Sequence, residues 1–185
     1  MSSILKQTFS RYATVLLLLC LTTQLAAADS QRLDPAGAPG KLVIGGGGSL
    51  PPAARQVFVA WAGGKDARLV IVPTASVRAD DAEASAVILK DWQDEEIADA
   101  VLMHTRSRDE ANSMEFVAAL EKATGVWFVG GSQQKIADAY VGTLFEERVL
   151  AVLKRGGVVG GSSAGAAIQS RVMIQSGTTQ ANIGQ

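Results

Sequence analysis

The chain has 185 residues, with 17 basic and 18 acidic side chains and a formal charge of −1. That length supports one domain with a sizeable core and is short for two. Apolar residues at 48% and charged residues at 19% exclude a disordered chain, and the near-balanced charge leaves no basic footprint for nucleic acid.

Lys6 and Arg11 precede an apolar run from Ala13 to Ala27, and Ala26-Ala27-Ala28 offers small residues to a signal peptidase. Thr22, Thr23 and Gln24 interrupt that run, so it is short for a membrane span of roughly 20 residues. Residues 1–28 are therefore read as a cleaved signal peptide, with an uncleaved anchor as the alternative. A secreted or periplasmic protein, with no membrane association after cleavage, is the expectation. Cys20 follows the bulky Leu19, which disfavours lipidation. Cleavage leaves 15 basic against 18 acidic residues, a net charge of −3, and removes the only cysteine. No disulfide, thiol nucleophile or thiolate metal site then remains.

Residues 29–40 read as a polar linker containing proline and glycine. From Lys41 a pattern repeats, in which a short β-branched run meets a small-residue turn and then a stretch with helical spacing. The runs are Lys41 to Ile44, Arg68 to Val72, Ala100 to Met103, Val126 to Val129 and Val158-Val159. Their turns are Gly45 to Ser49, Pro73 to Ser76, His104 to Arg106, Gly130 to Gln133 and Gly160 to Ser163. Continuous apolar runs of this length predict strands buried on both faces, as in a parallel sheet. Helices are predicted over Ala82 to Asp91, Asp109 to Lys122, Gln133 to Tyr140 and Thr143 to Lys154. The second of these places Met114, Val117, Ala118 and Leu120 at helical spacing. Alternation of strand and helix implies an α/β fold with right-handed crossovers, a three-layer, doubly wound and mostly parallel sheet. Ligands of such sheets bind at the carboxyl ends of the strands, where all these turns lie.

Gly161-Ser162-Ser163-Ala164-Gly165 has the form G-x-S-x-G, directly after a predicted strand. In a nucleophile elbow the serine sits on a sharp strand-to-helix turn, and glycines flank it because side chains there have no room. Ser163 is the candidate nucleophile, and the N–H of Ala164 is a candidate oxyanion donor. A Gly/Ser-rich βα turn without chemistry is the alternative. In Gly130-Gly131-Ser132-Gln133, two glycines let the backbone approach a ligand and Gln133 offers both a donor and an acceptor. Gly45 to Ser49 lacks the Lys-Ser/Thr of a phosphate-binding loop and the spacing of a dinucleotide fingerprint.

Ile44-Gly45-Gly46-Gly47, Ile71 to Ser76, Arg106-Ser107-Arg108, Trp127 to Gln133 and Gly161 to Ala166 resemble, in the same order, segments of the cyanophycinase and dipeptidase E serine peptidases. That family has the class I glutamine amidotransferase-like fold, which is flavodoxin-like, and the resemblance runs from about Lys41 to Gly177. It implies that Ser163 is the nucleophile and that Gly131 and Ala164 supply oxyanion-hole amides. It further implies that Gln133 and Ser132 line the substrate pocket, with Ser132 standing where the family usually has Asp or Asn. Family members cleave aspartyl bonds: cyanophycinases release β-Asp-Arg dipeptides from an Asp/Arg polymer, and dipeptidase E acts on α-aspartyl dipeptides. The exported character and Arg106-Ser107-Arg108 favour the cyanophycinase branch. No metal and no organic cofactor are implied. The expected partner is a peptide or Asp/Arg polymer, and a homodimer is left open.

In the family the histidine and its acidic partner follow the serine, whereas Gly165 to Gln185 contain no His, Asp or Glu. The lone His104 precedes the serine at a position that is not catalytic in the family, and it reads as a satisfied histidine. Residues 41–185 are thus expected to be the N-terminal part of a longer peptidase domain lacking its C-terminal strands. A non-catalytic binding module of the same fold is the competing reading, with an inactive truncated relative beside it. Amidotransferases use cysteine at the elbow, and an α/β-hydrolase would not explain the Gly-Gly-x-Gln turn.

Overall fold

Five strands pair in parallel in the order β1-β5-β4-β2-β3 in a computed structural model that describes residues 37–48, 50–170 and 172–173. The expected signal peptide lies outside the described residues, as do most of the linker and the tail from residue 174. The strands are β1 (Lys41–Gly45), β2 (Arg68–Val72), β3 (Asp99–Leu102), β4 (Gly125–Phe128) and β5 (Val158–Ser162).

Because strand side chains alternate between faces, the central strands feed two separate cores. Val70, Val72, Val126, Phe128 and Val159 face one way and pack against α5 (Gln133–Tyr140) and α6 (Leu144–Lys154). Leu69, Ile71, Trp127 and Val158 face the other way and meet α1 (Pro52–Trp61) and α2 (Ala82–Gln93). On that second face Phe58 packs edge-on against both Trp92 and Trp127, with ring centroids 5.5 and 5.0 Å away. The result is the three-layer, doubly wound α/β sheet that the alternating pattern predicts. Crossovers from β1 to β3 run over one face and those from β3 to β5 return over the other. The return inserts β5 between β1 and β4, so the turns after these three strands become neighbours on one rim.

Three expectations need correction. The predicted helix from Asp109 to Lys122 is broken into α3 (Arg108–Ala111), α4 (Met114–Val117) and a 3-10 turn over Ala118–Glu121. The Asn112 side chain closes the first piece by donating to the Arg108 carbonyl. Ser113 then caps a new start, its hydroxyl accepting from Phe116 N at 3.2 Å. Short polar side chains here compete with the helical ladder. Val117 and Leu120 are buried as their spacing predicts, but Met114 is 56% exposed. Secondly, among the described residues β1 lies at the edge of the sheet and is not buried on both faces, with Leu42 47% and Ile44 64% exposed. Finally, α1 is a helix the spacing argument does not pick out. It starts with proline at its first position, where a missing N–H costs nothing, and buries Phe58 and Val59.

Candidate active site

Ser163 has φ 53° and ψ −115°, and it is the only non-glycine residue with positive φ among the described residues. A conformation this sparsely populated costs on the order of 1–3 kcal/mol and persists only where the surroundings impose it. They do so here through three contacts. The Ser163 N–H donates to the Gly45 carbonyl at the end of β1 at 2.9 Å. Its own carbonyl accepts from Ala166 N at 3.0 Å and Ala167 N at 2.9 Å, opening α7 (Ala164–Ala167). The flanking glycines allow the fold-back. A Cβ on Gly161 would stand 2.3 Å from the Gly165 carbonyl oxygen, and one on Gly165 only 2.0 Å from that of Phe128. The G-x-S-x-G spacing is therefore a steric requirement of the turn. Ser163 is exposed at the rim while Ala164 and Gly165 are buried beneath it. The helix that follows is a single turn, so the backbone amides of the elbow are what it offers to a negative charge.

The turns after β4 and β1 close on the same serine. A Cβ on Gly130 would lie 3.3 Å from the Ser163 Cβ, and one on Gly47 would lie 3.9 Å from it. Gly131 follows with φ +142°, and Ser132 occupies the cap position of α5, its N–H donating to the Ala75 carbonyl at 2.9 Å. Gln133 opens α5 and is half-buried. The structure thus sets Gly130 against Ser163, with Gly131 and Ser132 held against Ala75 and Gln133 next along the chain.

A polar cluster that sequence reasoning missed lies one strand further out, behind the Pro73–Ser76 turn. Thr74 is fully buried, and its hydroxyl lies 2.9 Å from His104 Nδ1 and 2.8 Å from the Tyr140 hydroxyl. The other His104 nitrogen, Nε2, is 2.9 Å from Asp80 Oδ1. With both ring nitrogens engaged away from Ser163, His104 is the satisfied histidine its sequence context suggests. Thr105 N donates to the Tyr140 oxygen at 3.2 Å, and burial pushes the Tyr140 hydroxyl pKa up. Arg106 and then His104 hydrogen-bond Asp80 and hold its carboxyl well below the usual range, at about 2. Arg106 was legible only as part of a resembling segment. No local spacing connects it to Thr74 or Asp80.

Residues 42–184 match the model of peptidase family S51. Among curated proteins, a cyanophycinase of Geminocystis herdmanii is 29% identical over 130 residues, covering 67% of this chain and 45% of that protein. A cyanophycinase of Nostoc sp. is 26% identical over 162 residues, covering 83% of this chain and 52% of its own length. The crystal structure of a peptidase from an acI-B1 Actinobacterium superposes with a TM-score of 0.60 at 26% identity, covering 71% of this chain and 57% of that one. The chain spans about half the length of the curated relatives it matches. With the serine elbow and the Gly-Gly-x-Gln turn side by side on one rim of the matching fold, the chain belongs to peptidase family S51.

Proposed function

We propose that this chain carries the nucleophile side of an exported serine-type peptidase for aspartyl bonds, most like a cyanophycinase releasing β-Asp-Arg dipeptides. The observation that carries the reading is the backbone of Ser163, held at positive φ at the meeting point of three glycine turns in a family S51 fold. In the proposed reaction Ser163 Oγ attacks the aspartyl carbonyl and its proton passes to a base. The oxyanion rests on the amides of Gly131 and Ala164, the amine leaves with a proton, and water resolves the acyl-enzyme. Gln133 and Ser132 are assigned to the substrate pocket.

Residues 165–185 hold no His, Asp or Glu, and His104 is engaged elsewhere. Relatives of about twice this length have room for a base beyond the elbow. A second reading is a binding module that holds an aspartyl ligand at the serine and glycine turns, which a full-length sequence without a His and an acid after the elbow would favour.

The test incubates the full-length protein with a β-Asp-Arg polymer and follows products by mass spectrometry and the Gly131 and Ala164 amides by NMR; the 185-residue chain by itself is expected to give little or no hydrolysis. Release of β-Asp-Arg dipeptides, abolished by Ser163→Ala, is the expected result. Amide shifts without products select the binding module, and hydrolysis of α-aspartyl dipeptides alone moves the assignment to that activity. Export is tested by N-terminal sequencing of the protein from its host, which is expected to begin at Asp29.

A further inference from the structure

The Gly130–Gly131 turn lies in a slot between two backbones. On one side are Ser162 and Ser163. A Cβ on Gly130 would come to 3.3 Å from the Ser162 carbonyl oxygen and from the Ser163 Cβ. On the other side is the turn Pro73–Ser76. A Cβ on Gly131 would meet the Ala75 carbonyl oxygen at 2.1 Å and Ser76 N at 3.0 Å, and Ser132 N already bonds that carbonyl at 2.9 Å. Whatever sets the position of Ala75 therefore sets how far Gly131 stands from the serine.

One side chain grips that turn on both sides of Ala75. Arg106 Nη1 donates to the Thr74 carbonyl at 2.6 Å and Nη2 to the Ser76 carbonyl at 3.3 Å. The carbonyl between them is left for Ser132. The guanidinium is itself aimed by Asp80, whose Oδ2 accepts from Nη2 at 3.0 Å while Nε lies 3.3 Å from both carboxylate oxygens. Asp80 also meets His104, whose other ring nitrogen bonds the Thr74 hydroxyl. A planar fork with fixed donor directions can span two carbonyls and a carboxylate at once, and a lysine ammonium cannot.

We infer that Arg106, aimed by Asp80, is a positioning residue that sets the Gly130–Gly131 turn against Ser163 through the Thr74–Ser76 backbone. It touches neither the serine nor the oxyanion position and acts only through Ala75. The inference deepens the nucleophile reading above and rests on it for its catalytic meaning, while the geometric link is testable by itself.

The experiment uses the full-length protein with Arg106→Gln, Arg106→Lys and Asp80→Asn. Val152→Ala, a buried substitution in α6, serves as a destabilised control remote from the turn. Amide exchange and chemical shifts are read at Gly131 and Ser132, and the rate of Ser163 modification by a fluorophosphonate is read by mass spectrometry. Expected is an acceleration of Ser132 amide exchange by about tenfold or more in both Arg106 variants, with shifts at Gly131. Val152→Ala, at comparable loss of melting temperature, should leave this local signature unchanged. Ser163 labelling should fall about tenfold in both Arg106 variants, because small misplacements of a reacting geometry cost rates of that order or more. Asp80→Asn should give the same signature at smaller size. Unchanged Ser132 and Gly131 signals in Arg106→Gln overturn the inference. Full rescue by Arg106→Lys also overturns it, since a charge alone would then suffice. If wild-type Ser163 does not label at all, the nucleophile reading fails, and the amide signals still decide the positioning claim.

Discussion

The position a Cβ would take on Gly131 lies 2.1 Å from the carbonyl oxygen of Ala75, and the Gly131 backbone is at φ +142°. Gly131→Ala therefore meets two penalties at once, a backbone conformation that disfavours L side chains and a collision with main chain that cannot rotate away. Each is worth roughly 1–3 kcal/mol. The variant is expected to lose about 2 kcal/mol or more in urea unfolding and to lose Ser163 reactivity with it. Wild-type-like stability would mean the slot between the two turns is looser than described.

Ser163 itself should be a site where stability and chemistry conflict. Glycine adopts positive φ without strain, so Ser163→Gly is expected to raise stability by about 1 kcal/mol while abolishing any reaction at this position. Ser163→Ala keeps the Cβ and should stay within about 0.5 kcal/mol of wild type. Equal stability of the glycine and alanine variants in a thermal melt would argue against strain at the elbow.

Tyr140 ties the outer cluster to the core. Its ring stacks on Phe145 at a centroid distance of 4.0 Å, while its hydroxyl serves Thr74 and the Thr105 amide. Tyr140→Phe keeps the stack and strips the hydroxyl, leaving a buried donor without its acceptor at a cost of about 1–3 kcal/mol. A loss below about 0.5 kcal/mol, measured by chemical unfolding, would show that this hydroxyl is dispensable.

Acid should loosen the same cluster through Asp80. Its carboxyl pKa is depressed from 3.8 to about 2 by Arg106 and His104, so the folded state binds its proton less readily than the unfolded chain. The stabilising contribution is therefore present above about pH 4 and is lost as pH falls toward 2. Asp80→Asn should flatten the stability curve across that window. An unchanged acid limb would show that Asp80 makes no such contribution.

What the sequence discloses and what it withholds divide along sequence distance. Strands β2, β4 and β5 are legible because their apolar runs are continuous, and the elbow is legible because Gly161, Ser163 and Gly165 are two residues apart. The helix from Asp109 to Lys122 misleads because Ser113, a competent cap in mid-stretch, restarts the chain. The exposure of β1 depends on which strand ends the sheet, and no local pattern in Lys41–Gly45 records that. The Thr74, His104, Asp80 and Arg106 cluster joins residues 24 to 32 positions apart. Only the pairing of β2 with β3 brings their turns together.

The most direct test is site-resolved labelling of the full-length protein with a fluorophosphonate over an extended incubation. Ser163 is expected to be modified at least about tenfold faster than any other serine, including its neighbour Ser162, because its hydroxyl is presented beside oxyanion donors. Labelling at Ser163 no faster than at ordinary surface serines would contradict the claim that this elbow presents a nucleophile.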